Sequence, residues 1–298
     1  MKILVTGGTG LVGKHLEEIM PHATYLSSQD ADLIYPHQSE YIVNHYKPDV
    51  VIHLAARVGG IADNIAHPVE YLEDNILINT NLLRACHIYD VDRVVSILST
   101  CIYPDVVDVY PMNEDELFNG PPPFDNFAYA ISKRCMATQM DSYVKQYGKK
   151  WSYLIPCNLY GEYDKYEEHH SHFVSALIKK IYEAKDSIEM WGTGKPLRQF
   201  MHAEDLARVI KYMIDNDIVG NFNVAPDYVH SIEEIIKIGI VSCGKDDLEI
   251  TYDNTKPDGQ YRKDVDSSKL ISVMEDFEFT PLAEGIKRVY DNFSKRYN

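Results

Sequence analysis

The feature that most constrains the fold lies at the very start of the chain. Lys2-Ile3-Leu4-Val5-Thr6 is a short β-branched run, and Gly7-Gly8-Thr9-Gly10-Leu11-Val12-Gly13 follows it directly. Lys14 to Met20 then shows the apolar spacing of a helix. Strand, glycine turn and helix, in that order, turn a glycine pattern into a phosphate site. Glycines let the backbone approach a pyrophosphate, and a helix N-terminus favours negative charge. Gly7, Thr9, Gly10, Leu11, Val12 and Gly13 are therefore candidate dinucleotide contacts.

The strand–helix unit repeats along the first half. A second strand near Ala23–Leu26 ends in Ser27-Ser28-Gln29, where an NAD enzyme commonly carries an acidic residue for the ribose 2′-hydroxyl. Two hydroxyls and an amide stand there instead, which favours NADP(H). No arginine lies nearby, so Lys14 and the backbone are left to hold a 2′-phosphate. Asp32-Leu33 reads either as an adenine contact or as an ordinary exposed turn. Val50 to Leu54 is a third strand. Leu54, Ala55 and Ala56 form its exit, where small side chains let a cofactor lie close to the backbone. A long helix follows from about Pro68 to Tyr89, then the apolar run Val94 to Ile97. Ser99 and Cys101 sit just past that strand, and ligands of open parallel sheets bind beyond the C-terminal strand ends. A helix from Tyr129 to about Tyr147 stops at Gly148, and Trp151 to Ile155 is the next strand. This pattern predicts a Rossmann-type, doubly wound parallel α/β sheet.

The character changes after residue 161. Glu162 to Glu168 is polar and acidic, a helix is expected over His172–Glu183, and Trp191-Gly192-Thr193-Gly194 reads as a hairpin-like turn. A helix at Asp205–Ile214 and a strand at Gly220–Val224 look like returns to the main domain. The expected division is residues 1–161 as the dinucleotide domain, joined by segments near 203–224. Residues 162–298 then form mainly a smaller, interleaved substrate lobe.

Charge narrows the partners. The chain holds 29 Lys and Arg against 45 Asp and Glu, a net charge of −16, with no basic run. That argues against nucleic acid, and it makes isolated cations in apolar surroundings informative. No apolar run approaches the roughly 18 residues a bilayer span needs, so no membrane partner is expected. Met1-Lys2 leads straight into a strand, without a signal-peptide pattern. Five cysteines without CxxC spacing fit a reduced, cytoplasmic protein. His169, His170 and His172 lack the spacing of a known metal motif, and no metal is expected.

Tyr129 and Lys133 are one helical turn apart and share a face. A nearby ammonium is expected to lower a phenol pKa from about 10 toward neutrality, making Tyr129 a general acid for a carbonyl under reduction. Ser99 would hydrogen-bond the same oxygen. With 22 tyrosines, chance pairs occur, and Tyr252 with Lys256 is one. Only Tyr129 follows a glycine-turn domain and a serine-bearing strand end and opens a helix.

Several stretches carry a family resemblance. They are Ala55-Ala56-Arg57-Val58-Gly59-Gly60, Ser99-Thr100-Cys101-Ile102-Tyr103-Pro104 and Asn158-Leu159-Tyr160-Gly161. Trp191-Gly192-Thr193-Gly194 through Arg198-Gln199-Phe200, and Lys256-Pro257-Asp258-Gly259, complete the set. The chain resembles the extended short-chain dehydrogenase/reductases, and within them the branch that converts GDP-4-keto-6-deoxy-D-mannose to GDP-L-fucose. The resemblance implies C3/C5 epimerisation by a cysteine–histidine pair, then NADPH reduction at C4. Cys101 matches the cysteine. His172 matches the histidine, which also lies beside the cofactor, and His170 is its close competitor. The resemblance assigns Asn158, Trp191, Arg198, Lys256 and Asp258 to the GDP-sugar. Trp191 reads equally as a lobe anchor. Lys180 stands where an arginine beside the substrate is common, and Glu162 where proline usually follows Tyr-Gly. The helices near 68–89 and 129–147 resemble those of a homodimer interface. An Asp-Glu pair after Ser-Thr would indicate a 4,6-dehydratase; Cys101-Ile102 argues against it. A related reductase or epimerase/reductase acting on another GDP-sugar, such as a GDP-heptose, is the alternative.

Overall fold

The computed structural model describes residues 1–166, 171–256 and 258–297. The first half runs β1 (Ile3–Thr6), α1 (Leu11–Ile19), β2 (Thr24–Leu26), α2 (Pro36–Tyr46), β3 (Val50–His53), α3 (Ile61–Ala66), α4 (Pro68–Ile88), β4 (Arg93–Ile97), α5 (Phe127–Tyr147) and β5 (Lys150–Pro156). The second half runs β6 (Asn158–Tyr160), α6 (Phe173–Glu183), β7 (Ser187–Trp191), β8 (Leu197–Arg198), β9 (Phe200–His202), α7 (Ala203–Asp215), β10 (Phe222–Val224), β11 (His230–Ser231), α8 (Ile232–Ser242), β12 (Glu249–Asp253), α9 (Ser268–Ile271) and α10 (Leu282–Tyr297). No helix among the described residues is long and apolar enough to cross a membrane.

Six strands form one parallel sheet in the order β10-β5-β4-β3-β1-β2. Helices cover both faces, α1 packing with α7 and α4 packing with α2 and α5. A strand covered on both faces has no solvent side, so its sequence runs apolar without alternation. All four residues of β3 are buried accordingly. Burying each Val or Ile there contributes about 1.5–3 kcal/mol. The chain passes from β1 to β2 on one side and to β3 on the other. The switch point, where doubly wound sheets bind ligands, therefore lies between β1 and β3. Gly148, at φ 67°, ends α5 with its N–H on the Val144 carbonyl, 2.9 Å.

Two hydrophobic cores are present. The larger surrounds the sheet, with Leu4, Ile52, Val94, Val95 and Leu154. The smaller joins α6, α8 and α10 through Leu177, Ile178, Ile235, Ile236, Ile286 and Phe293. β10 pairs with β5, Phe222 opposite Leu154. Val265, Leu270 and Met274 also belong to the larger core, so the chain crosses back once more around α9. That crossing carries only one turn of helix, too short for periodicity to announce. The turn after Trp191 is not a hairpin. β7 pairs in parallel with the distant β12, and Gly192 and Gly194 (φ 78° and 74°) carry the chain away from it.

Candidate active site

The glycine turn presses against the switch point. A Cβ on Gly7, which has φ 70°, would come within 2.7 Å of the Ala55 nitrogen and 2.8 Å of the Leu54 carbonyl carbon. A Cβ on Gly13 would lie 2.4 Å from the Gly8 oxygen. No larger residue fits at either point without moving backbone. Gly10 caps α1 without a side-chain hydrogen bond, so the free N–H groups of its first turn, Leu11 to Gly13, are available to an anion. The cradle suits a dinucleotide pyrophosphate. Thr9 and Gly10 are exposed at its lip, with Leu54, Ala55 and Ala56 half-buried across it.

The end of β2 departs from expectation. A carboxylate does stand there: Asp30 Oδ2 accepts from the Ser27 N–H at 2.8 Å and from Ser27 Oγ at 2.7 Å. Those two bonds hold its pKa below the ordinary carboxylate value. Ser28 is exposed beside it. Asp32 is also engaged, Oδ1 accepting from the Ile34 N–H at 3.1 Å, and Leu33 is buried.

Past β4, Ser99 caps a single 3₁₀ turn, Thr100–Ile102, and its Oγ accepts from the Cys101 N–H at 3.4 Å. Cys101 is buried. Arg134, on α5, clamps this turn. Its Nε donates to the Ile102 carbonyl at 2.6 Å and its Nη1 to the Gly120 carbonyl at 2.7 Å, fixing the long loop as well. Tyr129 and Lys133 rise from α5 beside it. Lys133 Nζ donates to the Ile97 carbonyl at 2.9 Å and lies 5.8 Å from the Tyr129 ring centroid. Burial lowers the Lys133 pKa to about 8, with Cys101 opposing.

The expected depression of the Tyr129 pKa is not found. Burial, Cys101 and Tyr71 push the phenol well above its ordinary value. Lys133 donates to the Ile97 carbonyl and stands 5.8 Å from the ring centroid, and desolvation dominates the phenol. The outcome is a phenol that keeps its proton, the state an acid must hold before it donates. Beneath Lys133, His53 bridges Thr6 Oγ1 (2.8 Å) and Asn79 Oδ1 (3.0 Å). Burial first, then Lys133, lower its pKa to about 3, so it stays neutral.

His172 stands at the N-cap of α6, its side chain half-exposed. Its Nδ1 lies 2.9 Å and 3.1 Å from the two Asp164 oxygens. This bond raises the imidazole pKa against the effect of burial. Asp164 is itself buried and accepts from Ser175 Oγ and the Lys165 N–H. With Nδ1 so held, Nε2 is left for proton exchange. His170 lies outside the described residues.

A cationic cluster flanks the turn after β7. Asp258 accepts from the Thr193 N–H (2.6 Å) and Thr193 Oγ1 (2.7 Å), bonds that depress its pKa. Lys256 Nζ sits 5.3 Å from the ring of the exposed Trp191. Arg198 Nη1 donates to the Leu197 carbonyl at 2.8 Å, and burial lowers its pKa while Asp258 supports its charge. Asn158 Nδ2 donates to the Gln199 carbonyl at 2.9 Å. Lys180 donates to the Glu189 carbonyl, which ties it to β7. Lys263, unnoticed in the sequence, lies within electrostatic reach of both Cys101 and Arg198. Asp164, Arg134 and Lys263 carried no local signal, because each gains meaning only from a partner the fold supplies.

A glycine cradle at the switch point, with a serine past the end of β4 and a tyrosine and a lysine on α5 beside it, defines a Rossmann-type NAD(P)-dependent oxidoreductase or epimerase. A sequence model of the NAD dependent epimerase/dehydratase family matches residues 3–225, and the chain belongs to that family. It is 36% identical to the GDP-L-fucose synthase of Dictyostelium discoideum, over 99% of this chain and 96% of that protein. It is also 36% identical to the GDP-L-colitose synthase of Yersinia pseudotuberculosis, over 91% of each. Among solved structures, the GDP-L-fucose synthetase of Naegleria fowleri bound to NADP matches with a TM-score of 0.88. That match is 32% identical and covers 99% of this chain and 93% of the other.

Proposed function

We propose that this enzyme converts GDP-4-keto-6-deoxy-D-mannose to GDP-L-fucose with NADP(H), by epimerisation at C3 and C5 and reduction at C4. One observation carries the reading. A buried cysteine, Cys101, sits in the same strand-end turn as Ser99 and close enough to Tyr129 and Lys133 to act on their charges. A simple reductase has no need of it. Relatives named for GDP-L-fucose synthesis match nearly the whole chain.

The 4-keto group acidifies the hydrogens at C3 and C5. Cys101 Sγ and His172 Nε2 exchange those protons from opposite sides of the sugar, with Asp164 orienting the imidazole. NADPH, when bound, supplies the hydride for C4. Tyr129 donates its phenolic proton to the C4 oxygen. Ser99 Oγ, already accepting from the Cys101 N–H, keeps its own proton free to donate to that oxygen. The Lys133 ammonium stabilises the phenolate left behind. The glycine turn, Ser27, Ser28, Asp32 and Leu33 are assigned to the dinucleotide. Trp191, Arg198, Lys256, Asp258, Asn158 and Lys180 are assigned to the GDP-sugar. Residues 1–161 with 203–224 and the crossing around α9 then make the dinucleotide domain, and the rest of 162–298 mainly the sugar lobe.

A second reading keeps the chemistry and changes the sugar. The equal identity to a GDP-L-colitose synthase supports it. We also propose a homodimer through α4 and α5, which expose Val69, Leu77, Ile88 and Phe127. The proposed workplace is the cytoplasm, where five free cysteines stay reduced.

The test is incubation with NADPH and GDP-4-keto-6-deoxy-D-mannose in D2O, with NMR of the product. GDP-L-fucose deuterated at C3 and C5 is expected. Reduction without deuterium would leave a plain 4-reductase, and absence of turnover would point to another GDP-sugar.

A further inference from the structure

One turn along α1 from the glycine cradle, three side chains far apart in sequence converge. His15 comes from α1, Glu162 from the segment after β6, and His202 from the end of β9. Both histidines are buried, at 1% and 0% exposure. Their Nε2 atoms face one carboxylate oxygen, Glu162 Oε2, at 3.4 Å from His15 and 3.0 Å from His202. One donor atom from each residue lies within 4.8 Å of the others. His15 Nε2 is buried with no hydrogen-bond partner among the described residues, and beside it His202 Nε2 and Glu162 Oε2 meet each other at 3.0 Å. An unpartnered buried imidazole nitrogen is costly in a protein interior, and an ion is one of the standard reasons for such a group.

We propose that His15, Glu162 and His202 form a binding site for a divalent transition-metal ion of the zinc class, with water as the fourth ligand. Zinc takes nitrogen at about 2.0–2.1 Å and oxygen at about 2.0–2.2 Å in a tetrahedron, so neighbouring donors should stand about 3.3 Å apart. The two separations to Oε2 bracket that value. Carboxylates lie near the other ring nitrogens, on the side where a metal site's outer shell places them. Glu18 Oε2 is 3.6 Å from His15 Nδ1 and Glu204 Oε2 is 3.9 Å from His202 Nδ1, both beyond hydrogen-bond distance. His202 Nδ1 accepts from the Glu204 N–H at 3.3 Å, a bond that ligation through Nε2 would have to exchange for the carboxylate. Arg288 pairs with the other oxygen of Glu162, Oε1, at 3.3 Å, leaving Oε2 for a monodentate bond.

Two imidazoles and one carboxylate select zinc, cobalt or iron over magnesium or calcium, which prefer all-oxygen sites. The ion would pin α1, which opens at the glycine turn, to α7 and to the segment after β6.

The full-length protein, stripped with chelator and dialysed, is titrated with ZnCl2 by calorimetry and with CoCl2 by visible spectroscopy. One equivalent of zinc should bind and raise Tm, and cobalt should give the intense visible bands of a tetrahedral site. His15→Gln and Glu162→Gln, both close in volume to the native residue, should each weaken zinc binding by at least tenfold while circular dichroism stays native. Glu18→Gln should weaken it less. The proposal is overturned if zinc binds below one equivalent, or if cobalt gives only weak octahedral bands. It is overturned equally if the two variants bind zinc as tightly as the native protein, which would place the metal elsewhere. The cobalt spectrum needs no variant, so a misfolded substitution does not remove the test.

Discussion

Two groups of residues face the proposed sugar, and their electrostatics are built in opposite ways. Tyr129 and Lys133 are governed by burial, which pushes the phenol up and the ammonium down to about 8. His172 is governed by a partner, Asp164, which raises its pKa against burial. Desolvation sets the proton inventory of the proposed reductive side and a specific ion pair sets that of the proposed epimerising side. The pH dependences differ in sign. Below pH 8 the charged Lys133 costs stability. That cost is relieved as pH rises from about 8 toward its ordinary value near 10.5, because the unfolded chain then holds more protons. The His172–Asp164 pair does the reverse. Its contribution is full below the ordinary imidazole value of about 6.5 and is lost as pH rises through the raised folded value.

The sharpest way to separate the two groups is to remove one at a time. Tyr129→Phe deletes the acid assigned to the C4 oxygen and leaves only the Ser99 hydroxyl there, and should slow reduction by about 10²–10⁴-fold. Solvent deuterium should still enter C3 and C5. If NADPH oxidation stayed near normal, the proton would have to come from elsewhere. Cys101→Ser should do the opposite, cutting deuterium entry by about 10²–10⁴-fold, since a serine hydroxyl scarcely ionises near neutral pH and supplies no anionic base, whereas a thiol does. Some reduction should remain, and unchanged deuterium uptake would remove the epimerase role of Cys101.

A smaller effect tests the partner itself. Asp164→Asn keeps a hydrogen-bond acceptor for His172 but withdraws the charge. The imidazole pKa should fall toward its ordinary value, and the corresponding limb of the deuterium-exchange profile should move to lower pH. A shift of one unit corresponds to about a tenfold change in the protonation equilibrium. The limb of the reduction profile should not move. A common displacement of both limbs would mean that Asp164 only supports the fold. The stability lost in the variant should also be larger at pH 6 than at pH 8.5, which thermal melts at the two values would reveal.

The contrast extends to what the sequence reveals. The parallel sheet, the glycine turn and the Tyr129–Lys133 pair were legible, because each is a local pattern: apolar runs, close-packed glycines, two residues one helical turn apart. The Tyr129 proton state was not, because it depends on what surrounds the hydroxyl rather than on its neighbour in the helix. Asp164 was not, because an acidic residue in an acidic stretch looks like solvated surface until α6 brings His172 to it. The carboxylate at the end of β2 escaped for a similar reason. Asp30 lies past the strand and folds back on Ser27. His15, Glu162 and His202 were the least legible, drawn from three elements with no shared motif.

The smallest expected effect concerns the rim of the site. Lys256 and Trp191 are both exposed and meet in a cation–π contact at 5.3 Å. Such a contact at an exposed position is worth only about 0.5–1 kcal/mol, whereas the hydrogen bonds of a charged, partly buried group are worth about 1.5–3 kcal/mol. Lys256→Met should therefore raise the KM for the GDP-sugar by about two- to fivefold, and Arg198→Met by about ten- to a hundredfold, with little change in kcat for either. The ratio is what matters. If Lys256→Met proved as damaging as Arg198→Met, the Lys256 ammonium would have to leave Trp191 for a phosphate when the sugar binds. The 1.5–3 kcal/mol scale would then apply to it as well. Steady-state kinetics of the two variants at low and high salt would distinguish the cases, since an exposed ion pair with phosphate weakens with salt and a ring contact changes far less.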